Sequence, residues 1–345
     1  MLESRTWREI VEQPAAWAAA MRSFDTAAPS VARLFQEKSP DEVIFTGCGS
    51  SYYLSMTAAL AFQRVTGLRS RSIPGSEILQ FPGSIFPAES RPLLVASSRS
   101  GTTTETLRAV QIARRRGVAT LALTCGRRSP LARGVDFCLL SPKGHEESVV
   151  MTKSCSSLLL LALLLAANRA EDLALRRDLR RLPALGKRMV KVAVNLTRDL
   201  GTDAAGFVFL GAGPAYGIAC EAMWKMTELA QRPAAAYHPL EFRHGPVAMI
   251  GPGTVVLFFG TRAGARLEMD LATDLRRHGA TVICLRDDWR GAEDLDLDVA
   301  LRVRLDDEAR CLLYLPFAQA LAYHRAVGAG LDPDRPRNLS SIVRI

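Results

Sequence analysis

The sequence predicts an α/β protein of two similar domains, each with a mainly parallel sheet covered by helices. Three observations predict it. Short apolar runs alternate with helical segments along the chain, the pattern of βαβ units. Two of these runs end in related glycine turns: Gly47-x-Gly49-x-x-Tyr52 recurs as Gly211-x-Gly213-x-x-Tyr216. The length, 345 residues, suits two domains.

Residues 5–40 read as helical, with a break at EQPAAW because Pro14 disfavours helix at Gln13. DEVIFTGCGSS is a buried strand entering a Gly/Ser turn, and MTAALAFQRVT a helix. PLLVASSRSGTTTETLRAVQIARRRG repeats strand, polar turn and helix. VATLALTC and DFCLLS are further strands, and MTKSCSSLLLLALLLAANRA is a long helix closing the first half. Its run LLLLALLLAA, residues 158–167, is too short to span a bilayer and reads as buried in the protein or at a subunit contact. In the second half GFVFLGAGPAYGIACEAMWKMTELA is strand, turn and helix. TVVLFFG, ATVICLRDD and LDLDVALRV are strands; ARLEMDLATDLRRHG and ARCLLYLPFAQALAYHRAVGAG are helices. The expected division is an opening helical segment at 1–30, a first domain at 31–175, a linking helix at 176–198, a second domain at 199–330 and a tail at 331–345.

Hydrophobic residues make up 48% and charged residues 23%, the balance of a soluble globular protein. The net charge of +9 aids solubility and draws anionic substrates. No basic-aromatic stripe or nucleic-acid motif accompanies it, so no nucleic-acid partner is expected. The seven cysteines are odd in number and lack CxxC spacing. They read as small buried residues in a reducing cytoplasm rather than a disulfide framework. The opening MLESRTWREIVEQP carries charges at once and is not a secretory signal. Five dispersed histidines give no metal spacing, and no cofactor is expected.

The hydroxyl cluster SSRSGTTTET, residues 97–106, follows an apolar strand and precedes a helix. Such a junction points free N–H groups at one place. Ser98, Ser100, Thr102 and Thr103 add hydroxyl donors, and Ser50 and Ser51 follow a neighbouring strand on the same carboxyl edge. Helix capping explains one or two hydroxyls; this number points to a phosphate. Neither a Walker A motif nor a dinucleotide fingerprint is present. The matching turn of the second half, FFGTRAGAR, offers only Thr261, so phosphate is expected in the first half alone.

Glu221, Lys225 and Glu228 are spaced to share one helix face, as a surface ion-pair array or as a catalytic group. A carboxylate near the glycine turn suits a general base, with Lys225 orienting it or touching substrate. Histidine as a side chain titrates near neutrality, and His244, before Gly245-Pro246, is placed to transfer a proton to a sugar ring oxygen; hydrogen bonding within its own loop is the other reading. His238 is a weaker candidate, and His278 and His324 read as structural. Tyr52, Tyr53, Trp224 and Tyr237 fit either a pocket lining or core packing.

Together REIVEQP, GCGSSYY, SSRSGTTTET, MTKSCSS, LGAGPAYGIACEAMWKMTELA, EFRHGP and DRPRNLSS resemble, in order and over nearly the whole chain, the sugar isomerase (SIS) family. The resemblance is strongest to the isomerase half of glutamine–fructose-6-phosphate aminotransferases. It implies two tandem flavodoxin-like αβα sandwiches, with subunits pairing into a homodimer that shares active sites. It implies that Ser50, Ser51, Ser98, Ser100 and Thr103 bind a sugar phosphate and that Glu228 moves a proton between C1 and C2. Lys225 would support the same site, and His244 would open the ring from across a dimer interface. Two departures matter. No glutaminase region or N-terminal cysteine nucleophile precedes the matching part, so glutamine-dependent ammonia supply is not expected. The tail reads PRNLSS where the synthases have Pro-Arg-Asn-Leu-Ala-Lys. Ser341 takes the position of an imine-forming lysine and has no amine to form one. Lys153, Lys225 or free ammonia would have to substitute. Three activities follow: isomerisation or deamination of a hexose or amino-hexose phosphate, cleavage of a phosphorylated sugar–amine adduct, or sugar-phosphate sensing without chemistry.

Overall fold

The computed structural model describes residues 4–287 and 296–340. The described residues form two compact units, one of residues 12–184 with 338–340, the other of residues 4–11 with 185–337. The opening helix, α1 (Arg5–Lys38), runs through Pro14 and Pro29, so the expected break at Pro14 is absent. Packing overrides the local preference: Gln13, Ala16, Trp17 and Ala20 on this stretch are buried, and Trp17 Nε1 donates to Ser156 Oγ at 2.8 Å.

The first sheet is built by β1 (Glu42–Gly47), α2 (Ser50–Thr66), β2 (Arg69–Pro74), α3 (Gly75–Gln80), α4 (Pro82–Ile85), β3 (Pro92–Ser98), α5 (Thr104–Arg115), β4 (Ala119–Thr124), α6 (Pro130–Arg133) and β5 (Phe137–Leu140). It is closed by α7 (Lys153–Arg169) and followed by α8 (Leu173–Thr197). All pairings are parallel and the strand order is β2-β1-β3-β4-β5. The apolar strands β1, β3 and β4 occupy the centre, with Val43, Phe45, Leu94, Val95 and Leu121 fully buried. The run 158–167 is buried throughout as part of α7, within its own unit. The sequence reading missed β2, whose RSRSIP carries little apolar signal; as an edge strand it pairs on one side only.

The second unit repeats the plan with β6 (Gly206–Gly211), α9 (Pro214–Lys225), β7 (Ala234–Tyr237), α10 (Pro239–Phe242), β8 (Thr254–Phe259), α11 (Ala265–Arg277), β9 (Thr281–Arg286), β10 (Leu297–Ala300) and α12 (Asp307–Gly328). Its order is β10-β9-β8-β6-β7, again all parallel. Both sheets thus have the flavodoxin-like sequence of neighbours, with the connections reversing direction between the first and third strands of each. β7 was missed for the reason given for β2.

The paired glycines explain the shared turns. Gly49 and Gly213 have φ of 55° and 56°, a left-handed conformation that L side chains rarely adopt. A Cβ on Gly47 would lie 2.7 Å from the Ser51 backbone, and one on Gly211 would lie 2.3 Å from the Ala215 carbonyl. Each glycine lets the following helix start directly against its strand. No helix among the described residues is long and apolar enough to cross a membrane. All seven cysteines are unbridged.

Near the other terminus, Asp334 caps α1. Its carboxylate accepts from the Arg5 N–H at 2.9 Å, the Thr6 N–H at 2.8 Å and the Thr6 hydroxyl at 2.8 Å. Partial burial pushes the Asp334 carboxyl up, but these donors outweigh it and hold it below its usual range. A depressed carboxyl stabilises the fold above its unfolded pKa, and that contribution is lost as pH falls through the folded value. Asp334→Ala is expected to cost about 1 kcal/mol at pH 7, with the difference from wild type vanishing in acid. Urea titrations at pH 7 and pH 3 check this; an equal cost at both would show that the carboxylate charge plays no part.

Candidate active site

The hydroxyl cluster lies at the point where the first sheet reverses direction. β1 leads into α2 and β3 leads into α5, on adjacent parallel strands. Ser50 and Ser51 open α2 rather than forming a turn before it, and both are buried. The two loops touch: Cys48 Sγ lies 3.7 Å from Thr106 Oγ1 in the first turn of α5. Within the β3–α5 loop, Ser98 Oγ accepts from the Gly101 N–H at 3.1 Å and lies 3.3 Å from Thr103 Oγ1. Ser100 Oγ accepts from the Thr102 N–H at 3.2 Å and lies 2.8 Å from Thr102 Oγ1. The N–H groups of Ser100, Thr103, Thr104 and Glu105 donate to no acceptor among the described residues. Four such donors with hydroxyls beside them are a ready anion cradle. Gly101, with φ of 66°, makes the curve possible; a Cβ there would fall 2.1 Å from Ser129 Oγ.

The second unit carries the same loop plan in a filled form. Arg262, Gly264 and Glu268 repeat the spacing of Arg99, Gly101 and Glu105. Here the carboxylate of Glu268 turns back into the loop, accepting from the Thr261 N–H at 3.0 Å and the Thr261 hydroxyl at 2.8 Å. Asp307 accepts from the Arg262 N–H at 3.0 Å, and the Gly264 N–H goes to Thr261 Oγ1. The N–H groups of Thr261, Arg262 and Gly264 are thus taken by acceptors of the chain itself. Burial pushes the Glu268 carboxyl up to about 7, the Thr261 donors opposing and nearby Asp307 adding to the rise.

The acidic cluster expected on α9 is assembled, and it is no surface array. Lys225 is wholly buried and its Nζ is paired with Glu221 at 3.4 Å and with Glu228. Glu221 is buried too, whereas the Glu228 side chain keeps 17% of its surface. Glu228 sits on a π turn, Met226–Ala230, that continues α9 and ends at Gln231 with φ of 51°. Single π turns of this kind often mark functional positions. The result is one half-open carboxylate backed by a buried ammonium, which a second carboxylate holds in place.

A SIS-domain family model matches residues 37–168 and 202–324. The chain belongs to the SIS family. Its two matched segments fall on the two sheets just described, so the fold is two tandem SIS domains. The glutamine–fructose-6-phosphate aminotransferases of Pyrococcus horikoshii and Pyrobaculum aerophilum are 30% and 31% identical, each over 98% of this chain. The chain spans about half the length of these curated relatives, 57% in both cases. A crystal structure described as glucosamine-6-phosphate deaminase from Thermotoga maritima superposes with a TM-score of 0.83 and is 32% identical, with 99% of each chain covered. Tagatose-6-phosphate ketose/aldose isomerase from Escherichia coli shares the fold at a TM-score of 0.88 and 24% identity.

The remaining candidates of this SIS protein are placed as follows. His244 is exposed on the turn between α10 and a 3-10 turn at Pro246–Met249, its N–H donating to the Glu241 carbonyl at 3.0 Å. His238 is exposed at the start of α10. His324 is structural: it lies against Trp7, shares a 2.8 Å hydrogen bond with Thr197 Oγ1, and is pushed down to about 4 by burial and then by Arg325 and Arg198. Lys153 is buried and pairs with Glu12 at 2.7 Å. Tyr52, Tyr53, Trp224 and Tyr237 are all half-buried. Ser341 lies outside the described residues. Sequence reasoning missed the buried Glu146 and gave no role to Arg99; the two adjacent acids of the loop GHEESVV carry no signal by themselves.

Glu268 yields a test of the filled loop. A raised carboxyl lets the native state keep a proton that the unfolded chain has lost, so stability falls as pH rises from about 4.5 to 7. That loss is expected to reach roughly 2 kcal/mol and to be absent in Glu268→Gln. Denaturant midpoints at pH 5 and pH 8 measure it. A wild-type curve as flat as that of the variant would mean that Glu268 is ionised throughout.

Proposed function

We propose that the protein is an isomerase-type phosphosugar enzyme that opens an amino-hexose phosphate and moves a proton between C2 and C1, releasing ammonia. The observation that carries this is Glu228, a partly open carboxylate on a π turn whose position is held by the buried Lys225. Such a group meets the need for a positioned base. The cradle of Ser98, Ser100 and Thr103 with Ser50 and Ser51 takes the phosphate. His244 opens the ring; its exposure supports delivery to the site of a second copy in a homodimer. The unbridged thiols suit a cytoplasmic setting.

In the open chain Glu228 takes the C2 proton. The C2–H electron pair forms the C1–C2 double bond as the C1 oxygen gains a proton. Return of a proton to C1 leaves an imine at C2. Water adds there and ammonia departs, giving the ketose phosphate. With oxygen in place of nitrogen at C2, the same transfer is aldose–ketose isomerisation and needs no water. None of these steps uses an amine from the protein, so serine at 341 is compatible with them. Deamination is favoured over simple isomerisation by the similarity to the Thermotoga maritima protein, which runs the full length of both chains.

Glucosamine-6-phosphate incubated in D₂O and followed by proton NMR, with ammonia assayed in parallel, tests the proposal. Wild type is expected to incorporate deuterium at C1 and release ammonia. Glu228→Gln should slow both by about 10²–10⁴-fold, and Ser100→Ala should raise KM about tenfold. Exchange that survives undiminished in Glu228→Gln would remove Glu228 from the chemistry.

A further inference from the structure

Arg99 lies in the middle of the hydroxyl cluster, yet its side chain turns inward. Its guanidinium pairs with Glu146 at 3.2 Å and donates to the carbonyls of Ser148 at 3.2 Å and Val149 at 3.0 Å. The Glu146 side chain is wholly buried and that of Arg99 is 10% exposed. The other contacts of Glu146 all serve the start of α7: it accepts from the Thr152 N–H at 2.6 Å, the Thr152 hydroxyl at 2.9 Å, the Ser154 N–H at 2.9 Å and the Ser154 hydroxyl. One carboxylate therefore ties the β3–α5 loop to the segment 146–154. That segment borders the hydroxyls on its other side, where Met151 Sδ lies 3.7 Å from Ser51 Oγ.

We infer that Glu146, acting through Arg99, is a positioning residue that sets the shape of the phosphate-binding loop. The inference rests on the reading that this loop holds phosphate. Arg99 lies between Ser98 and Ser100, so fixing its side chain fixes the direction of both hydroxyls and of the Ser100 N–H. Its carbonyl is held from the other side by the Cys125 N–H at 3.1 Å. A neutralised guanidinium also keeps its donors away from the cradle, so the ligand meets hydroxyl and backbone N–H groups rather than a mobile cation. In the second SIS domain the arginine at the matching position, Arg262, stays largely exposed and pairs with buried Asp287 at 3.0 Å, and no cradle accompanies it. Only in the first domain is the arginine drawn inward, and there the loop it anchors leaves its N–H groups open.

The test combines calorimetric binding of inorganic phosphate with KM and kcat for glucosamine-6-phosphate. Glu146→Gln keeps an oxygen for the α7 donors but loses the charge that holds Arg99. Arg99→Gln removes the other partner and keeps the loop backbone. Each is expected to weaken phosphate binding and raise KM by about tenfold, with kcat within about twofold of wild type. The double variant should be little worse than either single one, the mark of residues acting as a unit. Arg99→Lys, which can still reach Glu146, should recover part of the loss. A merely structural pair would lower the folded fraction and kcat with KM unchanged, and that result overturns the inference. Unchanged phosphate affinity in folded Arg99→Gln does the same, even if Glu146→Gln fails to fold. Wild type that binds neither phosphate nor phosphosugar would refute the cradle, and this inference with it.

Discussion

Every α-helix begins with backbone N–H groups that have no partner inside the helix, and a parallel α/β sheet gathers several of these starts along its carboxyl edge. Much of the arrangement of this molecule answers the question of what meets those donors. Asp334 meets those of α1 and Glu146 those of α7. Glu268 and Asp307 meet those of the loop before α11. The loop before α5 is treated differently: hydroxyls line it, but the N–H groups of Ser100, Thr103, Thr104 and Glu105 have no acceptor among the described residues. Where α1, α7 and the loop before α11 use carboxylates of the chain itself, this loop keeps its N–H groups beside hydroxyls, which marks it as a place for an outside anion.

The two SIS domains show how small a change separates a site from a filled loop. Both have the same strand order, the same left-handed glycine after the first strand, and an arginine after the third that pairs with a buried acid. Both also carry a glutamate at the matching helix position. Glu268 folds back onto the Thr261 N–H, whereas Glu105 leaves the loop N–H groups alone. A carboxylate inside the loop does the work of a phosphate oxygen, and the domain keeps its fold without a ligand. Burial raises the cost of that arrangement, which is why Glu268 holds its proton to about pH 7.

Much of this was legible in the sequence, for definite reasons. The central strands read clearly because parallel strands buried on both faces are nearly continuous apolar runs. The edge strands β2 and β7 did not, since RSRSIP and AAAY lack that signature. The helix running through Pro14 was misread because local preference gave way to the burial of Trp17 and its neighbours. The hydroxyl cluster and the Glu221, Lys225 and Glu228 face could be found because their members are close in sequence. The Arg99–Glu146 pair could not, because its partners are far apart in the chain and each is an ordinary charged residue on its own. Nor does spacing reveal a π turn, which changes how the backbone bonds rather than which residues are present.

The acids of the second domain carry this contrast furthest. Glu221, Glu228 and Glu268 are the same side chain in three settings. Glu221 is buried beside Lys225 and serves to keep that ammonium in place. Glu268 is buried among hydrogen-bond donors and closes a loop. Glu228 alone is both paired and partly open, because the π turn carries it out of the regular helix while Lys225 Nζ still reaches it. Removing one partner of a buried ion pair costs about 3–5 kcal/mol, so Lys225 cannot be exchanged freely even though it makes no bond to substrate in the proposed steps. Its place is fixed by folding and its effect falls on Glu228. A base held by a charge that the fold itself requires is set in position before any substrate arrives, and proton transfer at a sugar carbon depends on that preorganisation.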